Sequence, residues 1–186
     1  KISIKKLKMS SATINNFYIF LLKKKKIILT FLILYSIYNA LIIGVSWDLP
    51  FHLNQGKVIF NYLFSFGSLN ENVHYREFYS ASYWTIVYFI SQFFPRDYSL
   101  QIFHLVNLSI GWMTLFGFYK LGKILFNENI GVLFFIFLFF HPVFFGHMSI
   151  NGKDTILTFS HIWIFYFFIE YLNKQNNNFE SKKIII

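Results

Sequence analysis

The sequence predicts an all-α fold, a polytopic membrane helix bundle with juxtamembrane amphipathic helices in its first outer loop. Three observations lead there. Of 186 residues, 55% are hydrophobic and 27 are Phe. Only 13% are charged, about half the usual globular share of ~25%. The charges also clump at the ends of the chain and between apolar runs, leaving long uncharged blocks that suit the hydrocarbon core of a bilayer.

Residues 1–26 form a basic, cytoplasmic arm with Lys1, Lys5, Lys6, Lys8 and Lys23 to Lys26, and one apolar patch from Phe17 to Leu22. Ile27 to Val45 is uncharged and is the first expected span; with no small-x-small cleavage site after it, it reads as a retained anchor. From residue 46 to 67 apolar positions recur at helical intervals, with Gln55, Lys57, Asn61 and Ser65 between them. This predicts an amphipathic helix in the membrane interface, ended by Gly67. A polar loop follows. Residues 79–94 are apolar but short and stopped by Pro95, so they form a re-entrant or juxtamembrane segment or a short span. Further spans are expected at 100–119, 130–147 and 155–172. Residues 173–186 form a basic cytoplasmic tail. Lys1 in place of Met, and Ile184-Ile185-Ile186 after Ser181-Lys182-Lys183, read as a piece of a longer protein whose next span is cut short.

The net charge of +9 excludes little by itself, but its place does. Basic clusters flank apolar runs, where cytoplasmic orientation and anionic headgroups account for them, and no base-reading module accompanies them, so no nucleic-acid partner is expected. There is no cysteine, hence no disulfide framework and no thiolate metal site. If residues 79–94 do not cross, the arm, the 120–129 connector and the tail share the cytoplasmic face, while Asp48 and Asp154 share the outer one. The Lys and Arg distribution prefers that arrangement.

Two polar stretches carry the chemistry. Asp48 follows the first span, with His52 four residues on and therefore on the same helical face, offering a general base with a hydrogen-bonding partner. The bland alternative is an N-cap, with Pro50 in the first turn. His147, Asn151, Lys153 and Asp154 follow Pro142, where a helix loosens; Lys153 suits a phosphate, while Asp154 also suits a helix cap. Arg76 and Tyr79 are candidates for phosphate or sugar hydroxyls, and equally for interfacial anchors. His104 and Asn107 read as interhelical hydrogen-bonding residues. A divalent metal through Asp48 and Asp154 is left open, without a convincing ligand set.

The span ending in Asp48, the helix carrying His52, the segment opened by Tyr79 and the run His141-Pro142 through Phe145-Gly146-His147 to Asn151-x-Lys153-Asp154 resemble the C-type integral-membrane glycosyltransferases. More narrowly, they are similar to the dolichyl-phosphate-mannose–protein mannosyltransferase-like and aminoarabinose transferase-like family. The resemblance covers residues 27–172, the N-terminal third of such an enzyme. It implies transfer of a sugar from a polyprenyl-phosphate-linked donor to a lipid, glycan or protein acceptor on the outer face. Asp48, as catalytic base or acceptor-activating group, and Asp154 would be the catalytic residues, and His52, Arg76, Tyr79, His147, Asn151 and Lys153 would bind substrate. The implied location is a bacterial inner membrane, with the N-terminus cytoplasmic. Many relatives carry a second acidic residue where this chain has Leu49, and Pro where it has Thr155. The competing class is a non-enzymatic polytopic membrane protein, a transporter part or an assembly scaffold. It places Asp48 and Asp154 on opposite faces.

Overall fold

The computed structural model describes residues 11–68 and 81–183, and all regular structure among them is helical. The chain divides into two compact units, Lys1–Asn39 and Ala40–Ile186. Helix α1 (Ser11–Ile42) supplies the first unit and its last turn enters the second. It takes in Lys23 to Lys26 of the expected arm without a break, and the arm's first ten residues lie outside the described ones. Its polar side chains bond to its own backbone: Thr30 Oγ1 donates to the Lys26 carbonyl at 2.9 Å and Asn39 Nδ2 to the Tyr35 carbonyl at 2.7 Å.

The larger unit contains α2 (Leu49–Phe64), α3 (Ala81–Ser91), a 3-10 turn (Arg96–Tyr98), α4 (Ser99–Leu125), α5 (Glu128–Phe139), α6 (Pro142–His147) and α7 (Gly152–Lys183). Two stretches, Arg96–Leu125 and Gly152–Gln175, are long and apolar enough to cross a membrane; Lys26–Ile42 and Glu128–Phe139 are apolar but shorter. The expected span at 130–147 is therefore not one helix. Pro142 opens α6, and a residue before proline is pushed out of the α region. His141 obeys, at φ −69° and ψ 116°, and its Nδ1 caps α6 by accepting from the Phe144 N–H at 3.3 Å.

Helices α4 and α5 run antiparallel, so close at Gly122 and Gly131 that a Cβ on Gly131 would lie 2.7 Å from the Tyr119 carbonyl oxygen. Small residues permit this backbone approach, as at helix contacts in membranes. Helices α4 and α7 run in the same direction. Gly117 faces Ile162 and Trp163, and three residues on, the Lys120 ammonium sits 5.3 Å from the centre of the Tyr166 ring. The α4–α5 connector thus lies at one end of this three-helix layer, and the α6–α7 junction at the other.

At that second end α2 and α3 lie side by side. Leu49, Tyr83, Trp84, Val87 and Phe103 form the core there. His104 and Asn107 make the interhelical bonds expected of them. His104 Nδ1 lies 3.0 Å from the Ala40 carbonyl, and Asn107 Oδ1 accepts from the Tyr83 hydroxyl at 2.9 Å.

Helix α2 packs through a mixed face. Its buried residues are Leu49, His52, Gln55 and Gly56, while Phe51, Tyr62, Leu63 and Phe64 are exposed. Two polar side chains, His52 and Gln55, thus share the inward face with Leu49, while Asn54, Lys57 and Asn61 are exposed along with these apolar residues. Helix α7 likewise leaves Ile164, Phe165, Phe167 and Phe168 exposed. Water-soluble proteins rarely show such contiguous apolar surface. With the two long apolar helices, it points to association with a membrane.

Candidate functional site

Asp48 occupies the N-cap position of α2, but its side chain makes no cap hydrogen bond. The carboxylate instead accepts from Ser46 Oγ at 3.0 Å, and its other oxygen lies 3.5 Å from His52 Nε2. The Asp48 side chain is 35% exposed and that of His52 5%, so the pair presents a reachable carboxylate backed by a buried ring. Pro50 supports this local shape by fitting the first helical turn, where its missing N–H has no consequence.

The His52 ring lies flat on the Trp84 indole, with centroids 4.5 Å apart and planes 1° apart. Trp84 in turn stacks on Phe103 at 5.1 Å. Gly56 makes this possible, because a Cβ there would collide with the Trp84 carbonyl. Burial is the main force lowering the His52 pKa below its ordinary value, and the positive charge of Lys153 adds to it; Gln55 and Asp48 pull the other way. His52 is therefore held toward its neutral form.

The second polar stretch meets the first here. Ser46, Asp48, His52 and Trp84 share one narrow cleft with Asn151, Gly152 and Lys153, too tight to admit a water molecule. Lys153, from the first turn of α7, brings its charge to the Asp48–His52 side. Asn151 is the cap of α7. Its Oδ1 accepts from the Asp154 N–H at 3.2 Å, and its Nδ2 donates to Asp154 Oδ2 at 2.7 Å and lies 3.3 Å from His147 Nδ1.

Asp154 and His147 are placed elsewhere. They line a neighbouring, wider depression between α6 and α7 with His141, Thr155 and Thr158. Asp48 and Asp154 thus open into different depressions. Among the described residues no group of three or more His, Cys, Asp or Glu is placed to hold a metal ion. The metal left open by the sequence does not fit this arrangement. Arg76 and Tyr79 lie outside the described residues.

Sequence reasoning missed Trp84 and Gln55 as residues of the site. Nothing local singles out Trp84 within an apolar segment. Gln55 sits three residues after His52, a spacing that already places both on one helical face. Comparison with known proteins adds no family to this description: no family model, no curated protein and no solved structure matches the chain.

Proposed function

We propose that this chain carries part of the active site of a multi-pass membrane glycosyltransferase, the N-terminal part of such an enzyme by its resemblance, and that the cleft serves transfer of a sugar from a polyprenyl-phosphate-linked donor. The observation that supports this most is the meeting of Asp48 and His52 with Asn151 and Lys153 in one cleft. A base and a cation side by side are what displacement at a glycosyl phosphate requires.

An acceptor hydroxyl or amine attacks the anomeric carbon and gives its proton to the Asp48 carboxylate. The bond from that carbon to the phosphate oxygen breaks, and its electron pair leaves with the polyprenyl phosphate. The Lys153 ammonium offsets the charge gathering on that phosphate. His52, neutral and fixed by Trp84, orients the carboxylate, and Asp154 acts through its bond to Asn151. In the membrane, α4 and α7 cross in one direction and α5 with α6 returns between them. Helices α2 and α3 stay on the outer side with the cleft, and Lys120, Lys123 and Lys174 lie on the cytoplasmic side, in keeping with the basic-residue bias.

The test is Asp48→Asn in the full-length protein, assayed with a polyprenyl-phosphate-linked sugar. Loss of the base is expected to lower kcat about 100- to 10,000-fold with insertion intact. Undiminished transfer removes Asp48 from the mechanism. The topology is tested with single cysteines at Trp47 and His141, both exposed in a chain without native cysteine. Labelling from the same outer side is expected. Labelling from opposite sides would leave the non-enzymatic class as the better reading.

A further inference from the structure

We propose that Lys120, held in a cage of three aromatic rings where α4 meets α7, is the binding site for the phosphate of an anionic membrane lipid. The inference goes beyond the transferase reading and does not depend on it, because the cage lies at the end of the three-helix layer away from the cleft.

The Lys120 ammonium lies 5.2 Å from the ring centre of Phe116 on its own helix, and 5.5 and 5.3 Å from those of Trp163 and Tyr166 on α7. Ring faces attract a cation at such distances. Gly117 lets α7 come this near, since a Cβ there would lie 2.9 Å from Trp163 Nε1. The indole is fixed by its own N–H, which donates to the Met113 carbonyl at 3.2 Å. Both helices thus build the cage, and the charge is held in place instead of swinging on a free side chain. The other lysines at this end differ. Lys123 pairs with Glu128 at 3.2 Å, and Lys174 with Glu170 at 3.1 Å. Among the described residues Lys120 pairs with no carboxylate. The rings attract its charge, but its three N–H donors find their strongest acceptors in an anion.

The surroundings choose the anion. Lys120 is half-buried, so a ligand can reach it. Phe116, one turn further into the apolar part of α4, is 51% exposed. A single molecule that answers both carries an anionic group beside an apolar chain, which describes a lipid at the membrane boundary. A free phosphate would meet the ammonium and leave the Phe116 ring uncovered. A zwitterionic lipid brings a cation of its own to compete for its phosphate, and the rings are already occupied by Lys120. Phosphatidylglycerol brings none, so its phosphate is left for the caged charge. A lipid bound here holds a cation gripped by both α4 and α7. It therefore favours the packed state of the two helices over the separated one.

Native mass spectrometry of the full chain, released from dodecyl maltoside micelles doped with phosphatidylglycerol or phosphatidylcholine, tests this. Phosphatidylglycerol is expected to stay bound where phosphatidylcholine is lost, and to raise the unfolding temperature where inorganic phosphate does not. Lys120→Met keeps the long stem and loses the charge. It should weaken phosphatidylglycerol binding about fivefold, the worth of one lysine at an anionic surface. Tyr166→Leu keeps the charge and removes a ring, so the lysine must be immobilised on binding, and a loss of about threefold is expected. Lys123→Gln, whose charge is already met by Glu128, should change binding by less than about twofold. Should Lys120→Met fail to fold, Tyr166→Leu against Lys123→Gln decides. Equal retention of phosphatidylcholine, equal protection by inorganic phosphate, or undiminished binding in the folded Lys120 and Tyr166 variants overturns the proposal. So does an equal loss in Lys123→Gln, which would reduce the site to general surface charge.

Discussion

Replacing Gly56 by Ala should open the cleft from below. An ideal Cβ on Gly56 lies 2.7 Å from the Trp84 carbonyl carbon, where ordinary contacts begin at 3.4 Å. The obstacle is backbone, with the Trp84 carbonyl oxygen nearer still, so no side-chain rotation relieves it and α2 and α3 must part by more than about 0.7 Å. A gap of ~0.5–1 Å forfeits a quarter to a half of the dispersion energy across an interface. Overpacking of this kind costs about 1–3 kcal/mol, and a backbone clash belongs at the upper end, near 3. Alanine returns about 1 kcal/mol through helix propensity, so the net loss is roughly 2 kcal/mol. Equilibrium unfolding in mixed micelles measures it. Gly146→Ala is the control, since α6 leaves nothing within 4 Å of a Cβ there, and it should be neutral or slightly stabilising. A Gly56→Ala protein as stable as its parent would refute the close seating of α2 on Trp84, and with it the fixed His52 ring.

Two further perturbations follow from the same packing. The His52 pKa is lowered in the folded protein, so near and below its ordinary value of 6.5 the folded state binds fewer protons than the unfolded one. Its contribution to stability is complete above about pH 6.5 and is lost as pH falls from there through the folded pKa. Unfolding measured from pH 7.5 down to 5 should show a decline that His52→Gln reduces, and an unchanged decline would discount the burial of the ring. Lys153→Gln removes one of the lowering influences, so the His52 ring proton, followed by NMR, should titrate at higher pH than in the parent. Tyr83→Phe leaves the buried Asn107 oxygen without its 2.9 Å bond and should destabilise by about 1–3 kcal/mol; a shift within error would mean that Asn107 finds another donor.

Much of the helical content was legible because long runs without charge or turn residues leave the backbone little but helix. The ends were not. The expected span at 100–119 stops before Lys120, whereas α4 continues to Leu125; α7 passes Lys174 and runs to Lys183. A lysine marks where a helix leaves lipid and does not stop it, since its aliphatic stem and charge are both at home at the interface. The break at His141 was written in the sequence, because a residue before proline resists the α region. For the site, spacing along one helix placed His52 over Asp48. It could not place Lys153 against them, because that approach depends on how α2, α3 and the start of α7 pack. Gln55 shows the limit most clearly. Read as a polar residue between apolar ones it belongs in water, yet it is buried, because it shares the inward face of α2 with Leu49, His52 and Gly56.

The grouping of charged side chains at the cleft bears on the stereochemistry of the proposed reaction. Displacement through a covalent glycosyl intermediate needs a nucleophilic carboxylate as well as an acid–base group, about 5–5.5 Å apart in the glycoside hydrolases that work this way. Among the described residues, Asp48 is the one carboxylate lining the cleft. Asp154, the other candidate, accepts from Asn151 and faces the adjoining depression. A single base with a cation beside it suits one direct displacement, in which the acceptor enters opposite the departing phosphate and the anomeric configuration inverts. The partition of polar groups agrees. The charged pair Asp48 and Lys153 is matched to the two sites of changing charge, the acceptor proton and the leaving phosphate. With exposed Phe51 and Leu63 on the outward side of α2, the proposed lipid-linked donor would approach the cleft with its chain in lipid and its phosphate toward Lys153.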